Sequence, residues 1–193
     1  NVTFAYVGTW ANVQNVAGAE YSLTQSFTPG VFQNVAMNPT KAEQITAQSN
    51  AFNCVYAFRD YLKSVDPTEN SMDFQVLANV NISSTCNAYY DGGSINFYLS
   101  GGGCVNTAYS TVCAHEEGHW ANDQEGSGNG SDGFGEGNAD DYAMYIWDTP
   151  VVAEDFYGSG NCPGTCIRTG TNTRQFCGDS NGGCYGEVHA DGE

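Results

Sequence analysis

His115-Glu116-Glu117-Gly118-His119 is the stretch on which the reading of this chain turns. On a helix, residues four apart lie one turn apart on the same face, so His115 and His119 can grip one metal ion. Glu116 projects beside them, close enough to take a proton from a water at that metal. Zinc in a catalytic site takes three protein ligands and leaves a fourth position open. Glu136 is the natural third ligand, and it begins Glu136-Gly137-Asn138-Ala139-Asp140. Asp140, one turn later, can hold a ligand histidine through its second ring nitrogen. The competing reading is a capped surface helix with two solvated histidines. Against it, two of the chain's three histidines fall in this motif. The third, His189, falls in another.

Composition sets the frame. A chain of 193 residues that is 40% hydrophobic and 13% aromatic can bury a core, which argues against disorder. The expectation is a single domain over 1–193 of the α+β class, with a strand- and loop-rich part at 1–40 and a Gly- and Cys-rich excursion at 158–186. Twenty-two Asp and Glu stand against 5 Lys and Arg, for a net charge of -17. Such a surface repels nucleic acid and anionic membranes, because phosphate contacts need clustered Lys and Arg. It suits divalent cations or cationic substrates, and simple solubility also explains it.

Eight cysteines in a Gly-rich, Lys-poor chain read as disulfides in an oxidising compartment, hence a secreted, extracellular protein. The other reading is a structural zinc site among Cys162, Cys166, Cys177 and Cys184. Their gaps of three, ten and six residues lack paired short knuckles. Cys104 with Cys113 is the first expected pairing, across the turn into the His115 helix. The first residue, Asn1, is not Met, as expected after removal of a signal or pro-segment. Asn1, Asn81 and Asn129 begin glycosylation sequons.

Along the chain, Ala51, Val55, Phe58 and Leu62 recur at helical spacing within a helix expected between Ala42 and Val65. Phe74 to Ile82 alternates with period two, and Ser94 to Leu99 puts Ile95, Phe97 and Leu99 on one face, so both read as strands. A helix over Thr107 to Asn122 carries His115 and His119. Residues 123–137 hold six glycines and read as a loop, with a second helix from Asn138 to Trp147. Asp123, Glu125 and Asp132 in that loop offer oxygen ligands suited to Ca2+, or simply a solvated acidic surface.

With those residues in view, the chain resembles the thermolysin and fungalysin group of zinc metalloendopeptidases. Four motifs carry the likeness, in the family's order, between residues 87 and 189. Asn87-Ala88-Tyr89-Tyr90-Asp91-Gly92 is similar to the stretch where a sheet edge binds peptide. His115 to His119 matches the zinc helix. Glu136 to Asp140 matches the glutamate ligand and its supporting acid. Gly186-Glu187-Val188-His189 resembles a late motif whose histidine steadies the transition state. The resemblance implies a zincin-type fold, a twisted sheet with the zinc helix beneath it. It also implies Zn2+ held by His115, His119 and Glu136, with Glu116 as general base, His189 at the oxyanion, and Asn87, Ala88 and an arginine on the peptide substrate. Arg168 is preferred over Arg174 for that last role. Val112, one turn before His115, is expected to line the site.

The chain also departs from the family. Residues 120–135 contain no tyrosine, where the family has one that helps bind the oxyanion. The family's helical second lobe, the other wall of its cleft, has no counterpart here. Unsupported, His189 is expected to fray, so the cleft is expected to be completed by a carboxyl-terminal fragment, a second chain or another copy. The alternative to a peptidase is a non-catalytic structural or self-assembling extracellular protein that keeps the scaffold. Such a protein has no need of Glu116, which binds no metal.

Overall fold

The structure is a computed structural model that describes residues 1–130, 133–162, 164–173, 185 and 188–192. Its centre is a four-stranded mixed sheet covered by helices. The first strands are β1 (Val2–Ala5), β2 (Ala11–Asn15) and β3 (Ser22–Gln25), followed by the long helix α1 (Glu43–Val65). Then come β4 (Val76–Ile82), β5 (Ala88–Tyr90), β6 (Ile95–Tyr98), α2 (Ser110–Glu125) and α3 (Gly133–Trp147). The two-residue strands β7 (Val151–Val152) and β8 (Arg168–Thr169) and the short α4 (Val188–Gly192) complete the described elements. The sheet order is β2-β4-β6-β5, with β2, β4 and β6 parallel and β5 antiparallel on the edge. The first and third strands form a separate antiparallel pair. The outcome is α+β, as expected.

Alternation explains the inner strands. Val76, Ala78 and Val80 of β4 turn into the core, as period two requires. In β6, Ile95, Asn96 and Phe97 are all buried, because this strand lies between two others and both of its faces are covered. Ala51, Val55 and Phe58 of α1 are buried on one stripe, with Leu62 packed at its margin. Phe58 and Phe97 are fully buried, each contributing about 1.5–3 kcal/mol relative to exposure. None of the described helices is long and apolar enough to cross a membrane.

The second helix is buried along its whole middle, from Thr111 to Asn122. It therefore shows no amphipathic stripe. Gly126, with φ of 77°, ends it in the left-handed conformation that glycine adopts without strain. The expected loop over 123–137 is corrected at both ends: α2 runs to Glu125, and α3 begins at Gly133. Glycine costs about 1 kcal/mol in a helix interior, and here close packing offsets it. A Cβ on Gly137 would lie 2.5 Å from the Gly192 carbonyl oxygen, so α3 and α4 meet backbone to backbone. Through that contact His189 sits on a docked turn rather than a frayed segment.

The expected Cys104–Cys113 pairing is also wrong. Cys104 is bonded to Cys86, and Cys162 to Cys166, while Cys54 and Cys113 are buried thiols. Cys113 is fully buried on α2, within the core. Cys177, Cys184, Arg174, Asp132, Gly186 and Glu187 lie outside the described residues. The sequon at Asn81 is unusable in the folded protein. Its side chain is fully buried, donating to Asn15 Oδ1 and the Gln44 carbonyl and accepting from Asn106.

Candidate metal centre

Two helices and the short carboxyl-terminal turn bring the site together. The second helix supplies His115, Glu116 and His119 on adjoining turns, and α3 supplies Glu136 in its first turn and Asp140 in its second. His115 Nε2, His119 Nε2 and His189 Nε2 lie 3.2, 3.4 and 3.1 Å from the same Glu136 Oε2. The two motif histidines approach each other at 3.1 Å between their Nε2 atoms. His115, Glu136 and His189 form a group that could hold a metal ion.

The protons on the far side of each ring explain what this convergence is for. His115 Nδ1 lies 2.6 Å from Asp140 Oδ1, and a carboxylate can only accept, so Nδ1 carries the proton. His119 Nδ1 lies 2.8 Å from Asn129 Oδ1, with the Asn129 amide nitrogen donating to the His119 carbonyl and to Asp123. Nδ1 of His119 is therefore the donor as well. In the neutral tautomers so fixed, both Nε2 lone pairs point at a carboxylate oxygen. That oxygen is itself buried and receives no well-aligned hydrogen bond. Converging lone pairs repel unless a cation lies between them. The donor set of imidazoles and a carboxylate fits zinc.

The acid–base properties follow from the same crowding. Burial pulls the His115 pKa down, but Asp140, Glu136 and Glu116 overcome it and push it up to about 10. A proton thus takes the position a metal would take. Burial raises Glu136, yet its contacts with His115, His119 and His189 hold it far below the ordinary carboxylate range. Asp140, raised by burial, is brought down to about 2 by the His115 charge and by bonds from His115 and Arg168. Burial lifts Glu116 above its usual value; the nearby histidines pull it back, and Glu136 raises it further. Glu117, between them in sequence, is fully buried without a hydrogen-bond partner, and its carboxyl is pushed well up by that burial.

Of the expected site residues, His115, Glu116, His119, Glu136 and His189 line one cavity of about 360 Å³. Asn87, Ala88 and Val112 line it as well. Arg168 is there too, but its Nε and Nη2 are directed at Asp140, at 2.5 and 2.8 Å. It braces the acid that holds His115. Asp123 and Glu125, offered as calcium ligands, accept hydrogen bonds from Asn129 and Tyr142. Asn129 was missed. In sequence it is one amide among glycines, and its only visible motif was the sequon.

Asn129→Ala should lower metal affinity by about 10–100-fold, the usual effect of losing a ligand's outer partner. Competition with a chromophoric chelator measures this; unchanged affinity would mean that another group orients the His119 ring. Comparison with protein-family models and with curated proteins finds no match for this chain.

Proposed function

We propose that the chain is a secreted zinc-dependent endopeptidase acting on peptide or protein substrates. The observation that carries this reading is the convergence of imidazole lone pairs on Glu136 Oε2, with buried Glu116 alongside in the same cavity. A zinc ion held by His115, His119 and Glu136 would supply Lewis acidity, polarising a carbonyl and acidifying a water. Glu116, its proton affinity raised by burial, takes the proton of the attacking water and delivers it to the leaving nitrogen. His189 Nε2 stands at the rim of the same group, in reach of a developing oxyanion. The fifth strand is the sheet edge, pairing with β6 on one side, and Ala88 lines the cavity. A peptide added to that edge would carry its carbonyl to the site in register.

The test is hydrolysis of a general peptide library by the purified chain, before and after chelation and with zinc restored. Cleavage that disappears with the metal and returns with zinc supports the reading. Cleavage indifferent to chelation would sink it.

Metal binding should also depend on pH. Metal must displace the His115 proton, so affinity should fall roughly tenfold per unit as pH drops below about 10, for that one proton. For the metal-free chain the sign is opposite. A folded pKa raised above 6.5 contributes stability that is complete below 6.5 and is lost as pH rises through about 10. Titrations at pH 6 and 8 check the first statement. A flat affinity between them would mean that His115 gives up no proton to the metal.

A further inference from the structure

We propose that Cys54 and Cys113 close a third disulfide, which fastens the metal-binding helix to α1. Both side chains are fully buried where α1 packs on α2. The first helix docks on the lead into the second at two points one turn apart. Asn50 Nδ2 donates to the Ala108 carbonyl at 3.1 Å, and Cys54 Sγ approaches the Ser110 carbonyl at 3.6 Å. Cys113 stands one turn beyond Ser110 on the same helix, fully buried like Cys54. Two buried cysteines on one helix–helix contact are placed to close such a bond.

The rest of the chain indicates the redox setting. Cys86–Cys104 and Cys162–Cys166 are already joined, so these two thiols would meet under the same oxidising conditions. Closure breaks two S–H bonds and forms one S–S bond. The two electrons and, in the balance, the two protons pass to a disulfide donor, which leaves as two thiols. In the docked helices neither sulfur is open to solvent, so the exchange takes place before α1 settles on α2. The cross-link joins distant parts of the chain and restricts the unfolded state accordingly. Cys113 precedes His115 by two residues, so the bond also fixes the ligand-bearing turn against α1. That last consequence rests on the metal-site reading; the disulfide itself does not.

The experiment is a peptide map of protein folded in a glutathione redox buffer, denatured without reductant, alkylated with iodoacetamide and digested. The expected result is a cross-linked pair of peptides carrying Cys54 and Cys113, with neither residue alkylated. Recovery of both as alkylated cysteines overturns the proposal. The double variant Cys54→Ala, Cys113→Ala gives a second measure, because it keeps Cys86–Cys104. Reductant should lower Tm several degrees further in the parent chain than in the variant, and equal shifts would also overturn it. Neither readout needs metal or substrate. A cross-link found in a chain that binds no zinc would reject the proposed activity and leave the disulfide standing.

Discussion

Glu116→Gln is expected to leave zinc bound and to slow peptide hydrolysis by about 10²–10⁴-fold, the range for loss of a positioned general base. The side chain is buried in the cavity and makes no contact with Glu136 Oε2 of the kind the three histidines make. Glutamine keeps its size and loses its ability to take a proton. Metal content by mass spectrometry and turnover on one peptide should therefore separate. Parallel loss of both would assign Glu116 to the metal itself. Unchanged turnover would remove it from the chemistry.

Glu136→Ala should have the largest effect on metal binding, exceeding the roughly 100-fold upper range for supporting residues. Three ring nitrogens face this one carboxylate oxygen. Without it, the imidazoles face each other with no carboxylate among the donor atoms to balance the ion. The variant should also lose the negative charge that helps raise His115, so its pKa should fall from about 10 toward the ordinary value. Calorimetric zinc titration and NMR titration of the His115 ring read the two consequences separately. Full zinc affinity in the variant would show that His189 can stand in as the third ligand.

Much of this centre was legible because its chemistry is local. His115, Glu116 and His119 occupy one helix, and Glu136 and Asp140 occupy another, so spacing alone could pair them. What escaped depends on the fold. Asn129 reaches His119 across a turn made by glycines, and nothing in its neighbours marks it as a ligand's partner. Arg168 was assigned to substrate because pairing with Asp140 needs contact between β8 and α3 residues far apart in the chain. The start of α3 was misplaced for a different reason. Glycine normally marks turns, yet Gly133, Gly135 and Gly137 are helical here, and backbone packed against Gly135 and Gly137 leaves little room for a side chain. Propensity yielded to packing.

Gly118 has a comparable role at the heart of the site. A Cβ there would lie 2.9 Å from Ala139 Cα, so the two helices touch where α2 has no side chain. His115 and His119 flank that contact on one helix, and Glu136 and Asp140 flank it on the other. The bite of the chelate, the width across which nitrogen and oxygen donors face one another, is therefore a spacing between two helix axes. The residue that sets this aperture, and with it the ionic radius the donors can embrace, contributes no donor atom of its own.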